Sequence, residues 1–235
     1  MGAGDATGSA LARRFAAGGY TVCVARRNAD KLEALTEEIE GSGGRCLAFG
    51  VDARDEEAVV SFVQQVEAEV GPVEVAVHNI GANVLFGIHD TTSRVYRKVW
   101  EMAALSAFLF GREVTRGMRD RGSGTMIFTG ATASTRGAKG FAAFAGAMAA
   151  KRALAQSMAR ELGPEGVHVA HVVIDGPIDT AFVAEIVGME AFVRLKEAGG
   201  LLDPAAIAEQ YFQLVQQPPT AWTHECDLRP AIERW

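Results

Sequence analysis

The chain reads as an α/β protein built on a doubly wound, mostly parallel sheet flanked by helices. Three observations predict this. Apolar runs of strand length alternate with amphipathic helical runs from end to end, the pattern of successive β-α-β units. A glycine-rich turn, Gly2-Ala-Gly4-Asp-Ala6-Thr-Gly8, leads directly into a helix. Residues 124–162 read as an apolar strand, a small-residue loop and a long helix, which puts the loop at the carboxyl end of a strand, where open α/β sheets hold ligands.

Taken in order, residues 8–18 predict a short helix with Ala10, Leu11 and Phe15 inside and Arg13 and Arg14 outside. Residues 20–25 predict a strand. Asn28 offers an N-cap to a helix carrying Leu32, Leu35 and Ile39. A strand follows at 46–51, then an amphipathic helix at 55–70 closed by Gly71-Pro72, and a strand at 73–77. A long helix is expected from Thr91 to about Met118. In the 124–162 stretch, Phe144 and Met148, and then Leu154, Met158 and Leu162, fall four apart as on one helix face, and Gly163-Pro164 stops the helix. Residues 167–174 predict another strand. Asp203-Pro204 marks a helix start with proline at its first position, and residues 222–228 a last strand.

A chain of 235 residues with 49% hydrophobic and 22% charged residues suits one globular domain over 1–235. Its net charge of -6 argues against nucleic acid and against an anionic membrane as partner. Cys23, Cys46 and Cys226 are far apart and show neither metal spacing nor a disulfide framework. A reducing compartment fits, no metal is expected, and no membrane-length apolar run or leader is visible, so the expected location is cytoplasmic.

Glycines in a turn ahead of a helix let the backbone approach a pyrophosphate, which then rests on the helix N-terminus. Gly2, Gly4, Asp5, Ala6, Thr7 and Gly8 are therefore candidate dinucleotide-binding residues; a glycine turn without a ligand is the alternative. The next strand ends in Arg26-Arg27. NAD sites place a carboxylate there for the ribose 2′-hydroxyl, whereas arginine accommodates a 2′-phosphate. This favours NADP(H) over NAD(H), with two solvated arginines at a helix start as the alternative.

The 124–162 stretch, with its flanking Arg160-Glu161-Leu162-Gly163-Pro164, resembles the short-chain dehydrogenase/reductase family, and the likeness extends over nearly the whole chain from Gly2. The resemblance implies a Rossmann-type fold, a nicotinamide cofactor and a catalytic Asn, Ser, Tyr and Lys. Laid on this sequence, those four positions hold Ala103, Ala131, Phe144 and Met148. The family's glycine motif has Ala6 in place of its middle glycine, and Asp5 stands where NADP-type members often carry a neutral or basic residue. By the same resemblance Asp52 matches the adenine-contacting Asp. His78-Asn79-Ile80-Gly81 stands for Asn-Asn-Ala-Gly, so that Asn79 and Gly81 carry over. Asp175-Gly176-Pro177-Ile178-Asp179-Thr180 stands for the nicotinamide-holding segment, so that Gly176 and Thr180 carry over. Residues 176–202 match the substrate lid, made apolar by Phe182, Val183, Ile186, Met189, Phe192 and Val193; ordinary lid packing explains this, with an apolar ligand as the alternative.

Carbonyl reduction needs a proton for the nascent alkoxide, which the family's Tyr supplies with a pKa lowered by the Lys cation. Phe144 has no exchangeable proton and Met148 no charge. The resemblance therefore implies one of two functions. One is an oxidoreductase that binds NADP(H) and reduces a small apolar carbonyl or quinone by an atypical mechanism, with His78, Asp175 or Lys151 as replacement proton donors. The other is a catalytically inactive nicotinamide-dinucleotide-binding module, a sensor or partner subunit. The family pairs through the helices around Ala103 and Phe144, which implies a dimer or tetramer of this chain. It also places a strand ahead of the glycine turn, in mid-sheet. Only Met1 precedes Gly2 here, so two unpaired inner edges are expected and, with them, a natural gene that starts upstream.

Overall fold

A computed structural model of the chain describes residues 1–233. The glycine turn runs into α1 (Thr7–Ala17), followed by β1 (Thr21–Arg26), α2 (Glu33–Gly41), β2 (Arg45–Gly50), α3 (Glu56–Glu69) and β3 (Val75–His78). Then come α4 (Ser93–Trp100), α5 (Ser106–Arg121), β4 (Gly124–Ala131), α6 (Ala142–Leu162) and β5 (Val167–Ile174). The last part holds α7 (Ala181–Val187), α8 (Met189–Glu197), α9 (Pro204–Val215) and β6 (Glu225–Leu228).

Local signals set most boundaries. Asp55 caps α3 by accepting from the Ala58 amide, and Asp203 caps α9 by accepting from Ala205, with Pro204 at the first helical position. Asn28 accepts from the Asp30 amide, but the turn it opens is a 3-10 segment, Ala29–Leu32, before α2 proper. The long helix expected from 91 to 118 forms as one unbroken helical run that carries a π-type turn. It begins at Ser93 behind a Thr92 cap, passes through a π-type turn at Glu101–Leu105, and ends at Arg121 where Gly122 takes a left-handed φ of 68°. No glycine or proline in 99–107 signals that turn. It sits where α5 must turn its apolar face onto β4, and π turns recur near functional sites.

All strands pair in parallel. The order β3-β4-β5-β6 forms one sheet and β1-β2 another. β5 is buried along its whole length, as a strand covered on both faces must be. On β4, Met126 and Phe128 pack with Phe62, Val66, Phe110 and Met118 on the side of α3, α5 and α6. Ile127, between them in sequence, packs instead with Leu11, Phe15, Ile207 and Tyr211 of α1 and α9. This alternation is the period-2 geometry of a strand between two helix layers. Among the described residues no strand lies between β1 and β3, and the sheet is open there, as the resemblance implied.

Candidate functional site

Two elements ending at the same edge make a cleft of about 1390 Å³. One is the glycine turn with the N-terminus of α1; the other is the carboxyl end of β4 with its loop, roofed by residues 176–187. Gly2 needs its freedom: φ is 86°, and a Cβ there would lie 2.6 Å from the Asn79 carbonyl oxygen. The Asn79 side chain donates to the Gly2 carbonyl at 3.1 Å, tying the turn to the end of β3. Gly8 lets α1 settle onto the turn, since its Cβ would meet the Gly2 carbonyl oxygen at 2.8 Å. Gly4 differs: nothing lies within 4 Å of a Cβ added there, so its backbone faces open space. No side chain caps α1, whose N-cap is Ala6. The positive end of α1 is thus presented to the cleft next to bare backbone, which fits an anionic diphosphate.

The charges around this cradle are paired among themselves. The Arg26 guanidinium bonds Asp5 at 3.0 Å, and Asp5 is otherwise exposed at the cradle's lip. Asp52 is held by Arg54, whose Nε donates at 2.9 Å and whose backbone amide donates at 3.1 Å. That grip, chiefly the side-chain hydrogen bond from Arg54, pulls the Asp52 carboxyl down to about 2. Sequence reasoning missed Arg54, which a carboxylate two residues away at a strand end signals weakly.

At the other end, the four replaced positions converge. Ala103, Phe144 and Met148 belong to one buried apolar cluster with Val99, Ala143 and Ala147, and Ala131 packs against it. Ala103 and Met148 are essentially inaccessible, at 0% and 2% exposure. Only Ala131 and Phe144 reach the cleft wall. Gly81 lies against the Phe144 ring, 3.6 Å from where a Cβ would stand. Phe and Met here fill volume as core residues do.

The three residues expected as replacement acids are placed as follows. His78 is fully buried and bonded through Nε2 to Ser106 Oγ at 2.9 Å. The Ser106 hydroxyl donates to the Met102 carbonyl, so His78 Nε2 must be the protonated nitrogen. Burial, then the charge of Lys151, holds the imidazole well below its usual pKa. Lys151 is also fully buried; its Nζ donates to the Ile80 and Thr129 carbonyls at 2.6 and 3.2 Å, and burial lowers it to about 7. Neither side chain lines the cleft. Asp175 comes nearer, because it accepts from the Thr132 hydroxyl at 2.6 Å and Thr132 does line it. Arg136 and Arg229 flank this carboxylate at 3.7 and 3.4 Å. Among the described residues lining the cleft there is no Tyr, His, Lys or Cys.

The roof is apolar. Phe182, Val183 and Ile186 line the cleft, while Phe182 and Ile186 also remain more than half exposed, at 53% and 60%. Thr180 lines the cleft and caps α7, accepting from the Val183 amide. Gly176 adopts a φ of 155°, and a Cβ there would meet Pro230 at 2.7 Å. Of the expected cofactor residues, Gly2, Gly4, Asp5, Ala6, Thr7, Gly8, Asn79, Gly176 and Thr180 share the cleft wall; Arg26 joins through Asp5, and Arg27, Asp52 and Gly81 stand outside it.

Comparison with known proteins agrees with this geometry. Residues 1–191 match the family model for short chain dehydrogenases. A crystal structure of a short-chain dehydrogenase from Rhodopseudomonas palustris is 48% identical, covers 98% of this chain and 96% of that one, and superposes with a TM-score of 0.84. The 3-oxoacyl-[acyl-carrier-protein] reductase MabA of Mycobacterium tuberculosis is 34% identical over 175 residues, 74% of this chain and 65% of MabA. An actinorhodin polyketide ketoreductase solved with NADPH shares the fold, with a TM-score of 0.91 at 21% identity over 100% of this chain and 95% of that one. The chain spans roughly half to two thirds of the length of the first curated relatives it matches, 54%, 68% and 65%.

Proposed function

Because the chain belongs to the short-chain dehydrogenase/reductase family, we propose that its cleft binds a nicotinamide dinucleotide, NADP(H) in preference to NAD(H), and serves acceptors that need no proton from the protein. The bare Gly4 backbone and the uncapped end of α1 would hold the diphosphate. Asn79 keeps the turn in place, and Gly176 and Thr180 stand where the nicotinamide end would lie. The 2′-phosphate would draw Arg26 away from Asp5, with Arg27 beside it. When bound, the reduced cofactor supplies a hydride.

The observation that carries the reading is the apolar cluster formed by Ala103, Ala131, Phe144 and Met148, at the wall of a cleft that has no Tyr, His or Lys among the described residues lining it. A ketone turned into an alkoxide needs an acid at hand. A quinone does not, because its reduced anion is stable enough to take its proton from solvent. A small apolar quinone also suits Phe141, Phe144, Phe182 and Ile186 on the cleft wall. The second reading, a binding module without turnover, rests on the same four residues and is separated from the first by assay. Titration of the purified protein with NADPH and NADH tests the cofactor. NADPH oxidation with quinones, enones, aldehydes and ketones then tests the chemistry. Quinone turnover alone supports the first reading, binding without any turnover the second, and brisk ketone reduction refutes both.

Self-association is part of the proposal. Tyr96 and Trp100 on α4 and Phe108 on α5 are 48%, 43% and 42% exposed, an apolar strip suited to a twofold partner. No helix among the described residues is long and apolar enough to cross a membrane; the proposal places the protein in the cytoplasm.

A further inference from the structure

Three arginines line the main cleft: Arg13, Arg14 and Arg136. Two of them are engaged. Arg13 makes two hydrogen bonds to the Glu38 carboxylate, and Arg14 two to Glu209. The carboxylates of the wall are engaged as well. Asp5 holds Arg26, Asp179 pairs with Lys196 at 2.7 Å, and Asp203 caps α9. Arg136 differs. Among the described residues its guanidinium has no hydrogen-bond acceptor, and the carboxylate near it, Asp175, stands at 3.7 Å.

Asp175 has closer company than Arg136. The Thr132 hydroxyl donates to it at 2.6 Å, and Arg229 stands at 3.4 Å. A guanidinium in this position keeps its donors for another anion. The backbone holds it there. After β4 the chain turns tightly: the Arg136 and Thr135 amides both donate to the Thr132 carbonyl, at 3.2 and 3.0 Å, and the Thr135 hydroxyl donates to it at 2.9 Å. The Arg136 side chain is 48% exposed, half sunk into the wall.

Its place separates it from the diphosphate cradle. Arg136 and Asp175 follow the carboxyl ends of β4 and β5, whereas Arg26 and the glycine turn lie by β1, on the far side of β3. The same loop and the start of α6 give the wall Ala131, Ala133, Ala138, Phe141 and Phe144. One cation thus stands at an apolar, partly aromatic surface. A guanidinium matches a carboxylate with two parallel hydrogen bonds. A phosphate monoester matches less well, because it carries about two negative charges and Asp175 would repel the second.

We infer that Arg136 anchors the acceptor, and that the acceptor is a ring-bearing carboxylic acid: its carboxylate pairs with Arg136 while its ring lies against Phe141 and Phe144. The inference rests on the reading that this cleft takes a small apolar acceptor beside the cofactor, and it adds the anionic group that such an acceptor carries.

The test compares 2-naphthoate with 2-naphthamide, which share the ring and differ in charge. Both are titrated into the purified chain by calorimetry, with and without NADP⁺. The naphthoate should bind at least about tenfold more tightly than the amide, and should keep its affinity when NADP⁺ is present. Arg136→Gln should weaken the naphthoate by about ten- to a hundredfold and leave the amide unchanged, which also shows that the variant is folded. Arg136→Lys should restore part of the loss, because it returns the charge without the planar fork. Equal affinity of the parent for the two probes, binding of neither, equal weakening of both by Arg136→Gln, or displacement of the naphthoate by NADP⁺ would overturn the inference. Failure of NADP⁺ itself to bind would instead remove the cofactor reading, and the two probes in its absence would still decide the role of Arg136.

Discussion

Lys151 offers a quantitative test, because it is a buried amine whose Nζ donates to the Ile80 and Thr129 carbonyls. Burial lowers its pKa from 10.5 to about 7. The sign follows from linkage. Between these values the unfolded chain keeps the proton and the folded chain sheds it, so the unfolded state binds more protons and stability rises with pH. The full effect, 10.5 minus 7, amounts to about 5 kcal/mol at about 1.36 kcal/mol per unit. At pH 8 the folded chain retains about a tenth of the proton, for a slope of about 1.2 kcal/mol per pH unit. Lys151→Met removes the titration and keeps an unbranched chain, at a cost of about 1–3 kcal/mol for each carbonyl left without a donor. That cost is independent of pH. Urea unfolding of both proteins from about pH 7.5 to 9 should therefore show the parent gaining about 2 kcal/mol on the variant. Parallel stability curves would refute the reasoning and mean that Lys151 stays charged in the fold.

Further outcomes follow from the site. Replacing Arg26 and Arg27 by Ala should weaken NADPH by about ten- to a hundredfold, with NADH little changed, because charge-assisted bonds contribute about 1.5–3 kcal/mol; equal affinity for both cofactors in the parent, by fluorescence titration, would rule the assignment out. Asp5→Asn should strengthen NADPH, since Arg26 would no longer be shared with Asp5. Gly2→Ala should weaken either cofactor and lower the melting temperature, because its Cβ would press on the Asn79 carbonyl. Installing Ala103→Asn, Ala131→Ser, Phe144→Tyr and Met148→Lys together should raise ketone reduction, with general acid catalysis alone worth about 10²–10⁴-fold; steady-state rates check it, and no gain despite cofactor binding would favour the module without turnover. Light scattering at micromolar concentration should show a dimer or tetramer, and Trp100→Glu should shift it toward monomer.

How much of this was legible in the sequence can be argued from single residues. β5 announced itself because residues 167–174 are apolar at every position but His168 and His171, the near-continuous run of a strand covered on both faces. Asp203-Pro204 and Asn28 marked helix starts because a cap acts within a few residues of itself. The glycine turn was readable for the same reason: its demands are local backbone demands. The site was legible in part only through its resemblance to a family, because Ala103, Ala131, Phe144 and Met148 come from three separate elements. The pairing of Arg26 with Asp5, of Asp52 with Arg54 and of Thr132 with Asp175 depends on where side chains from turns and strand ends happen to point. Lys151 shows the reason most clearly. It follows Met148 by three residues, about 4.5 Å further along the helix, and that distance carries its amine past the cleft to the backbone of β4 and the residues after β3. Helical period assigns a residue to a face. Whether that face meets a ligand, a strand edge or a layer of apolar side chains is settled by long-range packing, which no local pattern encodes.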